Sequence, residues 1–304
     1  MQLGSDPGLD PAARDREFWP VQVIEYLGDP APLARVALRF FIAAHLVDNS
    51  AIQLSGHRMN SDVLNLSGET VLVTGASGNI GNGIAARLVE AGAEVVVHYH
   101  RDQASADQLA RDLGGAVTVQ ADLTDKAAVD AMFSAGQPSM IVNNAALQTV
   151  VDLGDMSFED WRAMLATNLD AVFLVMQRAA HAWGGRGGVI VNIASIEALD
   201  PAAGHGHYAT SKAGLVMLSR AAALEFGAAG IRINCVSPGL IDREGLARDW
   251  PDGVSRWQDR APLGRLGTAQ DVADAVLFLL SPAARWISGT NLVVDGGMSA
   301  QSRW

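Results

Sequence analysis

Thr70-Val71-Leu72-Val73-Thr74-Gly75-Ala76-Ser77-Gly78-Asn79-Ile80-Gly81 runs from a short β-branched stretch into a glycine-rich turn, and helix-like Ile84 to Ala91 follows it. A strand, a tight turn and a helix in that order leave backbone amides without partners where the helix begins. Glycines let that backbone approach a bulky anion, and a helix N-terminus favours negative charge. The stretch reads as a pyrophosphate cradle closing the first strand of a nucleotide-binding sheet.

Outward from it the same alternation continues. Short apolar runs recur at Glu94 to Tyr99, Ala116 to Gln120, Met140 to Asn143, Val189 to Ala194, Ile231 to Val236 and Asn291 to Val294, with helical stretches between them. Strands separated by helices require right-handed crossovers and a parallel sheet covered on both faces. The expected fold is a doubly wound, seven-stranded parallel α/β sheet, Rossmann-like, over residues 67–304. Residues 1–66 read as an N-terminal helical extension, with one helix from Pro11 to Leu27 and a second carrying Leu33, Val36, Ala37, Phe40, Phe41, Ala44 and Val47 at helical spacing. No function is assigned to it.

Composition narrows the partners. The 304 residues are 49% hydrophobic, ample for a buried core, and carry a net charge of -11, which argues against nucleic acid or an anionic membrane as bulk partner. The single cysteine, Cys235, excludes an internal disulfide and sits in an apolar run, where it reads as a buried thiol. Acidic and basic residues crowd the start where an export signal would be apolar, and no run reaches the length of a membrane span, so the expected location is cytoplasmic.

The end of the second strand, Tyr99-His100-Arg101-Asp102, decides between cofactors. An acidic side chain near this strand end holds the ribose hydroxyls of NAD, whereas a ribose phosphate needs cationic donors. Tyr99 fills the acidic position and His100 and Arg101 follow, which favours NADP(H) over NAD(H), with Asp102 opposing. Asp122, beside Leu123 after the third strand, is placed to bond an adenine edge or to cap the helix beginning near Thr124.

Farther on, Tyr208 and Lys212 stand four apart in a helix-like run, which puts phenol and ammonium on one face. The chain holds only one other lysine, Lys126, its remaining fixed positive charge being arginine. A compact ammonium beside a phenol forms an acid/base pair that a broad guanidinium cannot replace.

Over residues 67–300 the order of motifs resembles the short-chain dehydrogenase/reductase family. The matching segments are the glycine turn at 74–81, Asp122, Asn143-Asn144-Ala145-Ala146, Asn168, Ser195, Tyr208 with Lys212, Ser237-Pro238-Gly239 and Asp295-Gly296-Gly297. The resemblance implies an Asn-Ser-Tyr-Lys tetrad. Tyr208 would exchange the proton, Lys212 would lower its pKa and bind the nicotinamide ribose, Ser195 would hold the substrate oxygen, and Asn168 would complete a water relay. Gly75, Ser77, Asn79, Ile80, Gly81, Asn144, Ala145, Ala146, Pro238, Gly239 and Ile241 would line the cofactor together with the residues after the second and third strands. An ammonium about 4.5 Å from the phenol, at an effective dielectric near 20, would favour the phenolate by roughly 3 to 4 kcal/mol. Three residues depart from the family pattern: Asn79 replaces a middle glycine, Ala146 a terminal one, and Asp242 a threonine that contacts the carboxamide.

The expected activity is hydride transfer between NADP(H) and a small-molecule ketone, aldehyde or alcohol, in a homotetramer or homodimer packed through the helices near 157–182 and 208–227. Other readings are a pteridine or imine reductase, a 3-oxoacyl carrier-protein reductase, for which docking residues are sparse, and a non-catalytic NADP-binding sensor. Glu197, His205 and His207 are polar candidates beside the reacting centre. His205-Gly206-His207 has no acidic or cysteine partner at matching spacing, so no metal is expected. Trp250 and Trp257 could form an aromatic lid or fold against the core.

Overall fold

The computed structural model describes residues 63–301. The two helices expected at 11–27 and 33–47 lie outside the described residues. Seven strands, β1 (Thr70–Val73), β2 (Glu94–Tyr99), β3 (Val117–Gln120), β4 (Met140–Asn143), β5 (Gly188–Ile193), β6 (Ile231–Pro238) and β7 (Asn291–Val294), form one sheet in the order β3-β2-β1-β4-β5-β6-β7. Every neighbouring pair is parallel. The order reverses between β1 and β4, which opens a crevice at the strands' C-terminal ends.

The expected strands agree to within two residues. β6 runs on to Pro238 because β7 pairs with Ser237 and Pro238, and a proline that donates nothing is tolerated as a strand's last residue. The helix after the cradle, α1 (Asn79–Glu90), starts inside the glycine turn rather than at Ile84, with Gly78 as its N-cap.

Alternation along the strands builds two cores. Val71, Val73, Val95, Val97, Val142, Val189, Val191 and Ile193 turn to one face, where they meet Ile84 and Leu88 of α1 and Val272, Val276 and Leu277 of the helix Ala269–Leu280. Their neighbours Leu72, Val96, Ile141, Ile190 and Ile233 turn to the other, against Met132 and Phe133, Val175, Met176 and Trp183, and Leu215. Successive strand residues point to opposite faces, so a run of consecutive apolar residues serves both layers. Each fully buried aliphatic side chain contributes roughly 1.5 to 3 kcal/mol.

In chain order the remaining helices are α2 (Gln103–Asp112), α3 (Lys126–Gly136), α4 (Phe158–Leu165), α5 (Ala171–Trp183), α6 (Gly206–Phe226), α7 (Leu246–Asp249), α8 (Pro251–Arg260) and α9 (Ala269–Leu280). Side-chain caps start several of them: Asp102 for α2, Asp125 for α3, and reciprocal Ser157–Asp160 and Thr268–Asp271 pairs for α4 and α9. No described helix is long and apolar enough to cross a membrane.

Candidate active site

The glycine turn is built for close approach. Gly75 holds a φ of +60°, and a Cβ there would come within 2.9 Å of the Ala145 Cα; a Cβ on Gly81 would press into the Gly75 carbonyl. α1 opens with no side-chain cap and no acidic residue in its first turn, so its leading amides stay available to an anion. The cradle thus fits the pyrophosphate of a nicotinamide cofactor. Thr74 fixes it to β4: its hydroxyl accepts from the amides of Asn144 at 2.9 Å and Ala145 at 3.0 Å, while Asn144 Nδ2 donates to the Thr74 and Gly75 carbonyls, both at 3.0 Å. Asn144 therefore serves the turn with its side chain. Asn79, where the family pattern has glycine, sends its amide across to the Asp242 carbonyl at 2.8 Å and ties the turn to the loop after β6.

His98, buried at the end of β2, is the residue that sequence reasoning missed. The Gly75 amide donates to its Nδ1 at 3.1 Å, and its Nε2 lies 3.1 Å from the Ala121 carbonyl. With Nδ1 accepting, Nε2 carries the proton and donates, which fixes a neutral tautomer. Burial holds its pKa down at about 4, the Ala121 bond opposing and His100 adding to the fall. Its signal in the sequence is a histidine at a core-facing position of a strand.

Beyond His98, His100 and Arg101 are exposed. Both nearby carboxylates are engaged. Asp102 caps α2 by accepting from the Ser105 amide at 3.0 Å and its hydroxyl at 2.6 Å, and those bonds hold its pKa below the usual range. Asp122 accepts from Thr124 through one oxygen and keeps the other 3.6 Å from His100. Asp122 thus closes a turn with Thr124 ahead of α3, and the helix itself is capped by Asp125. Leu123 packs into the second core.

The acid/base candidates converge where β5 ends and α6 begins. Ser195, Tyr208, Lys212 and Asn168 are all buried. Ser195 follows β5, caps the next turn by accepting from the Glu197 amide at 3.1 Å, and also hydrogen-bonds Tyr208. Lys212 Nζ donates to the Ile193 carbonyl at 2.8 Å and lies 5.6 Å from the centroid of the Tyr208 ring. Asn168 stands in a π-helical turn, Ala166–Asp170, inserted between α4 and α5; such widened turns recur at functional sites. Its side chain grips the Leu147 amide at 2.8 Å and carbonyl at 2.9 Å, and reaches Ser211 at 3.2 Å.

Residues 75–299 match the family model described as enoyl-(acyl carrier protein) reductase. The chain is 36% identical over 247 residues to 3beta-hydroxysteroid dehydrogenase 1 of Eggerthella lenta, covering 77% of this chain and 95% of that protein. It is 37% identical over 246 residues to L-rhamnose 1-dehydrogenase (NAD(P)(+)) of Azotobacter vinelandii, covering 76% and 96%. A gluconate 5-dehydrogenase from Burkholderia cenocepacia, solved with NADP and tartrate, superposes with a TM-score of 0.74 at 33% identity, covering 79% of this chain and 99% of that one. The chain belongs to the short-chain dehydrogenase/reductase family. It is an enzyme of that family's alcohol/carbonyl oxidoreductase class, dependent on a nicotinamide cofactor.

Burial and bonding set the surroundings of two groups of candidates in this dehydrogenase/reductase. Burial pushes the Tyr208 phenol up to about 12; the Ser195 bond pulls it back and the Glu197 charge adds to the rise. Lys212, the group expected to lower that pKa, donates its ammonium to the Ile193 carbonyl, and burial draws its own pKa down to about 8. The polar candidates His205 and His207 have separate partners: Glu197 bonds His205, and Thr149 lies 3.0 Å from His207 Nε2. Of the two tryptophans, Trp250 is half-exposed, whereas Trp257 packs with Leu246, Val254 and Leu266 close under Gly239. Gly239 itself donates to the Val294 carbonyl at 3.0 Å, and Ile241 bridges to Gly267.

Proposed function

We propose that the chain is an NADP(H)-dependent reductase of a small ketone or aldehyde, with Tyr208 as the proton donor. The observation that carries the reading is the buried cluster of Tyr208, Ser195 and Lys212 beside a cradle suited to a pyrophosphate. The cofactor supplies the hydride. A phenol held at about 12 is fully protonated at neutral pH, so Tyr208 acts as an acid toward the carbonyl oxygen. Ser195 donates a hydrogen bond to that oxygen as charge develops on it. Once the proton has left, the Lys212 ammonium 5.6 Å from the ring stabilises the phenolate. Asn168, its side chain committed to Leu147 and Ser211, contributes to reprotonation through its main chain.

The preference for NADP(H) is supported by His100 and Arg101, which stand exposed while Asp102 is spent on capping α2. We place the enzyme in the cytoplasm and, on the resemblance, read it as a homotetramer or homodimer, for which Phe173 on α5 and Met217 and Leu224 on α6 offer an exposed apolar surface. The purified full chain should oxidise NADPH in the presence of a ketone panel. Tyr208→Phe should lower the rate at least about 100-fold while NADPH still binds. Retention of most of the rate would remove Tyr208 from the chemistry, and faster turnover with NADH would reverse the cofactor assignment.

A further inference from the structure

Two polar side chains beside the catalytic cluster have no part in the proton transfer described above. Glu197 stands two residues beyond Ser195, and its carboxylate oxygens lie 3.0 and 2.9 Å from Nδ1 of His205. The Ala202 amide donates to the same carboxylate at 3.3 Å. Both side chains are 15% exposed, so solvent still reaches the pair. The His205 ring meets the Tyr208 ring edge to face, with centroids 5.9 Å apart.

The segment bearing His205 is held in place. Val151 donates to the Gly204 carbonyl at 2.9 Å, and a Cβ on Gly204 or Gly206 would press on Val150 or Leu153. A carboxylate at Nδ1 requires a proton on that nitrogen, because two acceptors do not bond. Nε2 is then the working edge of the ring, and among the described residues nothing bonds it. A substrate hydroxyl suits Nε2 in either state, donating to it in the neutral ring and accepting from it in the charged one. The fixed charge of Glu197 disfavours a carboxylate or phosphate at the same place.

We propose that His205, oriented by Glu197, is a specificity-determining residue that hydrogen-bonds a hydroxyl on the carbon next to the reacting carbonyl. The substrates are neutral hydroxyketones and the products their diols or polyols. The inference rests on the reductase reading and narrows its substrate class.

The test compares acetoin, butanone and pyruvate as substrates with saturating NADPH, in the wild type, His205→Phe and His205→Gln. One neutral hydrogen bond gained by the substrate corresponds to about tenfold in kcat/KM. The wild type should favour acetoin over butanone by at least that factor and use pyruvate worst. His205→Phe, which keeps the ring but no nitrogen, should bring the acetoin-to-butanone ratio within about threefold of unity. His205→Gln, which restores a polar edge, should recover part of the preference. NADPH binding and thermal melts establish that each variant is folded, and the ratio is read within one protein, so a general loss of rate does not imitate the effect. Equal use of acetoin and butanone by the wild type, a pyruvate preference, or a preference surviving in His205→Phe overturns the proposal and leaves the reductase reading standing. Turnover of no ketone by the wild type overturns both.

Discussion

His98 places a titratable group directly under the cofactor turn. Its folded pKa of about 4 lies below the ordinary 6.5, so the stability it contributes is fully present above pH 6.5 and is lost as pH falls from there toward 4. A depression of that size corresponds to about 3 kcal/mol at full loss. Melting temperature should therefore fall more steeply between pH 7 and pH 4.5 in the wild type than in His98→Gln, which retains polar edges but does not titrate. Parallel curves would show that the imidazole titrates alike in the folded and unfolded chain and would overturn the depressed value. Tyr208 and Lys212 are legible in the sequence from their spacing, whereas Ser195 and Asn168 are named there only through the family resemblance that the order of motifs carries. His98, and the pairing of Glu197 with His205, are not legible there, because each depends on which backbone atom or side chain the fold brings opposite. The Tyr208–Lys212 spacing gives the shared face but not the ammonium's direction, and the Ile193 carbonyl decides that.

At the scale of elements, strand positions follow from β-branched runs, whereas helix starts follow from caps. α1 begins five residues before its apolar pattern, with its N-cap Gly78 inside the turn. The Thr268–Asp271 capping box of α9 is reinforced by Arg265, whose guanidinium reaches both Asp271 oxygens at 2.7 and 2.9 Å. The other end of α9 is held from β6. Arg232 donates to the Leu279 carbonyl at 2.8 Å and the Leu280 carbonyl at 3.0 Å, with longer reaches to Ile287 and Ser281. A fork that spans four carbonyls has no lysine equivalent. Arg232→Lys should cost about 1 to 3 kcal/mol in urea unfolding with little change in kcat, and an unchanged midpoint would show that water replaces the fork. The same residue lines a cleft of about 890 Å³ at the strands' N-terminal rim, alongside Arg186 and Trp286. That cleft lies away from Tyr208, and its Arg232 is already occupied by carbonyls.

Across the described domain, one sheet with two cores sends all seven C-terminal strand ends to a single rim, where the cradle, the acid/base cluster and the Glu197–His205 pair assemble. The opposite use of the molecule is on the flank of α5 and α6. Leu224 is 83% exposed and Met217 61%, one helical heptad apart on one side of α6. On the proposed assembly, Leu224→Asp should lower the mass measured by light scattering toward smaller species, and an unchanged mass would move the interface elsewhere. The resemblance supplies that assembly as an expectation, since exposure alone names no partner. A last consequence follows from the two lysines. Lys212 is buried against Ile193, whereas Lys126 is exposed on α3 beside Asp130. With no third lysine in the chain, an amine-directed reagent meets one accessible side chain on the native fold, remote in sequence from the acid/base cluster. Lys126 becomes the one lysine through which the native fold takes a dye or a surface, the α-amino group being the other reactive amine, and acylation of Lys212 becomes a covalent record that the fold has opened.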